Sequence, residues 1–269
     1  MSDLIHYHIK GSGRPLVLIH GWAMHAGVWQ GFADHLAEHC MTVAADLRGH
    51  GDSRHMAGPY DFEQHARDVA ELIKHLGLRD PLLAGWSMGV SIILKMVELG
   101  CADARAFLLV SGNASLVQRD DYTSALAPVV VKRLHKQVQR DYQSGLNTFL
   151  NLLCTREEHQ RCSADPGYCS AMDVGRCPDH TAALETLACL AAEDLRPQLS
   201  RIQVPTLVVH GARDEICPGD AGRCMHSCIP GARLHMLPDT GHMPFITRRE
   251  SVVDAVQNFL SASGTQASP

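Results

Sequence analysis

No apolar run in this sequence is long enough to cross a bilayer. The longest, such as Pro15 to Ile19 and Ala106 to Val110, are strand-length, and a membrane span is set aside. Basic residues form no long run and the net charge is a mild -5, so a nucleic-acid partner held by phosphate contacts is not expected. The first eleven residues are polar and lack the apolar stretch of a secretory leader, which makes the cytoplasm the expected compartment. Internal repeats and low-complexity stretches are missing. So is a composition shift that would mark a linker, and 269 residues read as one catalytic domain carrying an insertion, expected to be a monomer.

Cysteine is not scarce, but its ten copies are spread through a long chain, and reduced thiols fit better than a disulfide framework. Cys154, Cys162, Cys169 and Cys177 are six or seven residues apart, a spacing no common zinc site uses, and Cys224 and Cys228 lack a second pair in range. No metal and no cofactor are expected.

What is present is an alternation of short apolar runs with longer amphipathic stretches, the pattern of parallel strands joined by crossover helices, and the fold class is α/β. The expected strands are Leu16 to His20, Met41 to Asp46, Pro81 to Gly85, Ala106 to Ser111, Thr206 to Gly211 and Arg233 to Leu237. Helices are expected over Phe62 to Leu76, stopped by Gly77, and over Ser91 to Leu99 and Ser251 to Leu260, with Ser261 to Pro269 a frayed tail. Between residues 113 and 196 the strand pattern stops and the sequence becomes helical and polar, punctuated by Pro128, Gly145, Asp165-Pro166-Gly167 and Pro178. Residues 1–112 and 197–269 are thus the expected core, and 113–196 an inserted helical lid, with a purely structural elaboration as the alternative.

The sharpest chemical signal is Gly85-Trp86-Ser87-Met88-Gly89, a G-x-S-x-G directly after an apolar strand and before a helical stretch. A serine on so tight a turn is held exposed above the sheet, and the N–H of Met88, at the start of a helix, points toward an anion forming beside it. Such a serine needs a base, and in this arrangement the order along the chain is Ser, acid, His. His242, shortly after the last strand, satisfies that order, whereas His235 lies inside the strand. Asp214, at the carboxyl end of Thr206 to Gly211, is the expected acid, with Glu215 and Asp239 as competitors. The loop His20-Gly21-Trp22 is expected to supply a second oxyanion donor, the N–H of Trp22, with His20 as a loop brace. Trp22 and Trp86 are both expected to flank the substrate. Asp46 to Ser53 is a glycine-rich turn whose spacing matches neither a dinucleotide loop nor a P-loop.

His20-Gly21-Trp22, Asp46 to Ser53, Gly85 to Gly89, Gly211 to Asp214 and Gly241 to Phe245 together resemble the α/β-hydrolase superfamily. Within it, the sequence is most similar to the pimeloyl-(acyl-carrier protein) methyl ester esterases of biotin synthesis. That resemblance implies a fold with a mostly parallel central sheet flanked by helices and a helical lid. It further implies a serine carboxylesterase working through an acyl-enzyme, with Ser87 as nucleophile, Asp214 as acid and His242 as base, and with Trp22 and Met88 at the oxyanion and substrate position. It places the lid's acyl contact at Phe149, Leu150, Asn151, Leu152 and Leu153. Lys132, Arg133, Lys136, Arg140, Arg156 and Arg161 are available to hold an acidic acyl-carrier protein, though a solvated helix face accounts for them nearly as well. A short-chain carboxylesterase, a lactone hydrolase or a carbon–carbon bond hydrolase would use the same machinery, and an inactive ligand receptor of the same fold is the non-enzyme alternative.

Overall fold

The computed structural model describes residues 4–262. Seven strands, β1 (Tyr7–Lys10), β2 (Pro15–Ile19), β3 (Met41–Ala45), β4 (Leu82–Trp86), β5 (Ala106–Val110), β6 (Thr206–Gly211) and β7 (Arg233–Leu237), form one sheet in the order β1-β3-β2-β4-β5-β6-β7. Every pair is parallel except β1 with β3. The six strands read from the sequence are all present, with ends shifted by no more than a residue. β1 was not anticipated: it is a short edge strand whose residues are half-buried or exposed, so it carries neither a continuous apolar run nor a two-residue alternation.

Among the described residues twelve α-helices accompany the sheet: α1 (Gln30–Leu36), α2 (Phe62–His75), α3 (Met88–Leu99), α4 (Pro128–Arg140), α5 (Tyr142–Leu150), α6 (Arg156–Cys162), α7 (Pro166–Ala171), α8 (His180–Ala192), α9 (Arg196–Leu199), α10 (Gly219–Cys228), α11 (Pro244–Thr247) and α12 (Arg249–Ala262). In α2 the reasons for helix formation are local. The Asp61 carboxylate accepts from the N–H of Gln64 as N-cap, Phe62, Ala66, Val69 and Ile73 fall on one buried face, and Gly77, at φ +61°, turns the chain away. α3 starts three residues earlier than its apolar pattern suggested, directly on Ser87, and α12 extends through Ser261 and Ala262. The remainder of the expected tail, 263–269, lies outside the described residues. None of the helices among the described residues is long and apolar enough to cross a membrane.

The central strands β4 and β5 are buried along their whole length, as expected for strands covered on both faces. After β2 the chain places β3 on one side and β4 on the other. The carboxyl ends of β2 and β4 therefore flank a topological switch point, where sheets of this kind open a crevice. Between β5 and β6 the chain makes six helices, α4 to α9, and contributes no strand to the sheet.

Candidate active site

At the end of β4 the chain reverses into α3 through Ser87, whose backbone sits at φ 55°, ψ -116°, a conformation costly for any residue with a side chain. The turn is possible because its flanks are glycines. A Cβ on Gly89 would collide with the backbone oxygen of Ile19, and one on Gly85 would strike the backbone of Gly89 and Val90. Ser87 thus stands at the amino end of a twelve-residue helix, where the first backbone N–H groups and the helix dipole favour negative charge.

The expected acid and base come from the loops after β6 and β7. Asp214, in the loop after β6, is 6% exposed. Its Oδ1 accepts from the N–H groups of Ile216 and Cys217, both at 2.8 Å, and its Oδ2 lies 2.7 Å from His242 Nδ1. A carboxylate can only accept, so Nδ1 carries the proton and Nε2 is left as the ring's acceptor. That Nε2 is buried and has no hydrogen-bond partner among the described residues. Of the competing acids, Asp239 ion-pairs with Arg213 in solvent at 3.0 Å, and Glu215 is an exposed residue at the cavity edge. Only Asp214 meets the imidazole. Gly211 makes this convergence possible, because a Cβ there would run into the carbonyl oxygens of Thr240 and Gly241.

The main chain of His242 is held on both sides. Its carbonyl accepts from Trp86 Nε1 at 2.8 Å, and its N–H donates to the Leu153 carbonyl at 2.9 Å. Trp86 is therefore not the pocket wall the sequence suggested. It is fully buried beneath the site, packed on the His242 ring at 5.4 Å and on Phe245 at 5.2 Å, and it ties the Ser87 turn to the His242 loop. His20 sits as a brace: its Nδ1 donates to the Gly21 carbonyl at 2.8 Å, and its Nε2 accepts from the N–H of Leu47 at 3.0 Å. Burial holds its pKa well below the usual histidine range, consistent with a neutral ring.

Above Ser87 opens a cavity of about 150 Å³. Trp22, Ser87 and Met88 form its core wall, and Leu134, Phe149 and Leu152 face them from the inserted segment. Trp22 packs edge-on against Phe149 at 4.7 Å, and its Nε1 donates to the Ala183 carbonyl at 2.9 Å, so the loop after β2 is fastened to α8. Of the five consecutive residues named for acyl contact, Phe149 and Leu152 line the cavity. Leu150 and Leu153 are buried outside its lining, and Asn151 is exposed. The difference follows from helix geometry: α5 ends at Leu150, and neighbours along one turn cannot all face the same way. Asn113, Gln137 and Thr148 also reach the cavity, and nothing in their local sequence marks them for it.

The ten cysteines are all free. One grouping, His6, His8, Asp46 and Asp52, brings four potential ligand atoms within 4.8 Å of one another. Its carboxylates are already engaged, Asp46 by the N–H groups of Ala26 and Asp52, and Asp52 by Arg176 at 3.5 Å.

Residues 14–249 match the family described as alpha/beta hydrolase fold. The chain belongs to this α/β-hydrolase family. Over 93% of its length it is 30% identical to the pimeloyl-(acyl-carrier protein) methyl ester esterase of Nitrosomonas europaea, covering 96% of that protein. It is 27% identical to the enzyme of the same name from Vibrio cholerae, over 96% of this chain and 99% of the other. Among solved structures, this α/β-hydrolase is similar to an esterase from Exiguobacterium antarcticum, with a TM-score of 0.85 and 28% identity over 96% of this chain and 95% of that one. The enol-lactonase of Burkholderia xenovorans LB400, at 24% identity and a TM-score of 0.84 over 96% of both chains, shares the fold.

Proposed function

We propose that this α/β-hydrolase, a carboxylic ester hydrolase by family, removes the methyl ester from a pimeloyl group carried on acyl-carrier protein, and so frees the carboxylate for biotin synthesis. Ser87 Oγ attacks the ester carbonyl while His242 Nε2 takes its proton, and Asp214 holds the imidazole in the correct tautomer and stabilises the imidazolium. The backbone N–H groups of Trp22 and Met88 receive the oxyanion. His242 then returns the proton to the departing methoxide, and water activated by the same base releases the acyl group from Ser87.

The observation that carries this reading is the convergence of Asp214 on His242, with Nε2 left unpartnered, beside an apolar cavity whose floor is Ser87. Burying the roughly five methylenes of a pimeloyl chain there, at about 0.8 kcal/mol each, is worth on the order of 4 kcal/mol. The substrate rests on the relatives that bear this name across nearly the whole chain. In this reading residues 113–196 are the lid, and the exposed Lys132, Arg133, Lys136, Arg140 and Arg156 present a basic face to the acidic carrier.

The test is purified enzyme against the pimeloyl-carrier methyl ester and p-nitrophenyl butyrate in parallel, with Ser87→Ala as the blank. Preference for the carrier ester supports the proposal. Cleavage of the small ester alone makes the enzyme a general carboxylesterase, a reading that the likeness to the Exiguobacterium esterase favours. Undiminished turnover by Ser87→Ala removes the mechanism.

A further inference from the structure

One buried carboxylate takes no part in the mechanism above. Glu158 lies in the first turn of α6, within the lid, and is 1% exposed. Its sequence context, Thr155-Arg156-Glu157-Glu158, is a capping box, and the structure forms it: the N–H of Glu158 donates to Thr155 Oγ1 at 3.2 Å, and Glu158 Oε2 accepts from the N–H of Thr155 at 2.9 Å. A cap of this kind needs no burial.

The carboxylate also reaches out of its own helix. Oε2 accepts from the N–H of Gly241 at 2.9 Å, and Oε1 accepts from the Thr247 hydroxyl at 2.6 Å. Gly241 immediately precedes His242, and Thr247 closes α11 behind it. Among the described residues no Lys, Arg or His forms an ion pair with Glu158. Its three donors are thus what offsets the cost of keeping a carboxylate out of water.

The backbone shows the same joint. The lid turn at Leu153 and Cys154 lies directly on the histidine loop: a Cβ on Gly241 would sit 2.9 Å from Glu158 Oε2, 3.2 Å from Cys154 Cα and 3.2 Å from the Leu153 oxygen. The Leu153 carbonyl in turn accepts from the N–H of His242. Glycine at 241 is what permits this approach. Two successive N–H groups, those of Gly241 and His242, therefore end on lid atoms, while Leu152, one residue before the joint, lines the cavity.

We propose that Glu158 is a positioning residue for His242, and that the lid, through Glu158 and Leu153, forms the seat of the histidine loop as well as the roof of the pocket. The proposal rests on the assignment of His242 as the base. A displacement of the base by even about 1 Å costs on the order of 100-fold in rate, and removal of an outer partner of a functional side chain costs about 10- to 100-fold.

The experiment compares Glu158→Ala, Glu158→Gln and Thr247→Val on p-nitrophenyl butyrate. Turnover is expressed per active site, counted by labelling Ser87 to completion with a fluorophosphonate. Glu158→Ala is expected to lower kcat per labelled site about 10- to 100-fold, with KM changed by no more than about two-fold. Glu158→Gln keeps an acceptor oxygen for the two amides and is expected to recover to within about three-fold of the parent, and Thr247→Val to fall by about three-fold. A residue that only staples the lid down would lower the melting temperature and the number of labelled sites while leaving turnover per site unchanged. That result for Glu158→Ala overturns the proposal. If Glu158→Ala does not fold, a parental rate per site in Thr247→Val overturns it equally. Ser87→Ala and His242→Ala run alongside: turnover surviving in either brings down the assigned mechanism, an outcome distinct from failure of the Glu158 variants.

Discussion

Three buried histidines give this fold an acid weakness whose size can be worked out. His20, His50 and His65 form a chain under the active-site loops, with ring centroids 5.2 Å apart between the first two and 6.0 Å between the second and third. Burial pushes His50 down to about 4; for His65, burial and then the positive potential of His50 and Arg48 push the value down to about 3. In the unfolded chain each takes up a proton near pH 6.5, whereas the folded protein refuses it until the pH is far lower. Their contribution to stability is therefore complete above pH 6.5 and is lost as the pH falls toward 4 and 3. At pH 5 the linkage relation gives a loss of about 2 kcal/mol for each, about 4 kcal/mol for the pair relative to pH 8. His20 adds to it in the same direction. Against typical unfolding free energies of 5–15 kcal/mol this is a large fraction. Urea unfolding at pH 8 and pH 5, on the parent and on His65→Leu, isolates the effect, because the other titrating groups are common to both proteins. The variant is expected to lose about 2 kcal/mol less than the parent across that interval. Equal losses in the two proteins would refute the reasoning.

Two further outcomes follow from the site geometry. Asp214→Asn keeps an acceptor for the N–H groups of Ile216 and Cys217 but turns an amide toward His242 Nδ1 and enforces the wrong tautomer, so kcat is expected to fall by about 10⁴ with little change in melting temperature; a loss under about ten-fold would contradict it. Ser87→Gly relieves the strain at φ 55° and is expected to unfold at higher urea than Ser87→Ala by about 1 kcal/mol, both being inactive; equal urea midpoints would show that the turn stores no such strain.

The residues legible in the sequence share one property: their meaning is local. The turn at Ser87 announces itself because strand, glycine, serine, glycine and helix must follow one another within a dozen positions for the backbone to reverse there. The core strands are legible because burial on both faces demands continuous apolar runs. Where burial is partial the signal fades, and β1, with its exposed edge residues, left no pattern. α10, with glycines at 219 and 222, lacks helical composition and is held in place by β6 and β7.

Partnerships across the chain lie beyond local reading. The sequence favoured Asp214 over Glu215 and Asp239 only by its place at the end of β6, and the 2.7 Å approach to His242 is what separates them. Trp86 was read from its neighbours in sequence as a pocket wall and Glu158 drew no reading, yet both hold the His242 loop, from 156 and 83 residues away. By itself the sequence determined six of the seven strands, the serine-bearing turn after β4 and the class of chemistry, because those depend on backbone conformation and hydrophobic period over short spans. Which acidic residue meets His242, which residues of the inserted segment face the cavity and how that segment grips the His242 loop were decided by packing, because hydrogen bonds between distant residues exist only once the sheet has brought their loops to one edge.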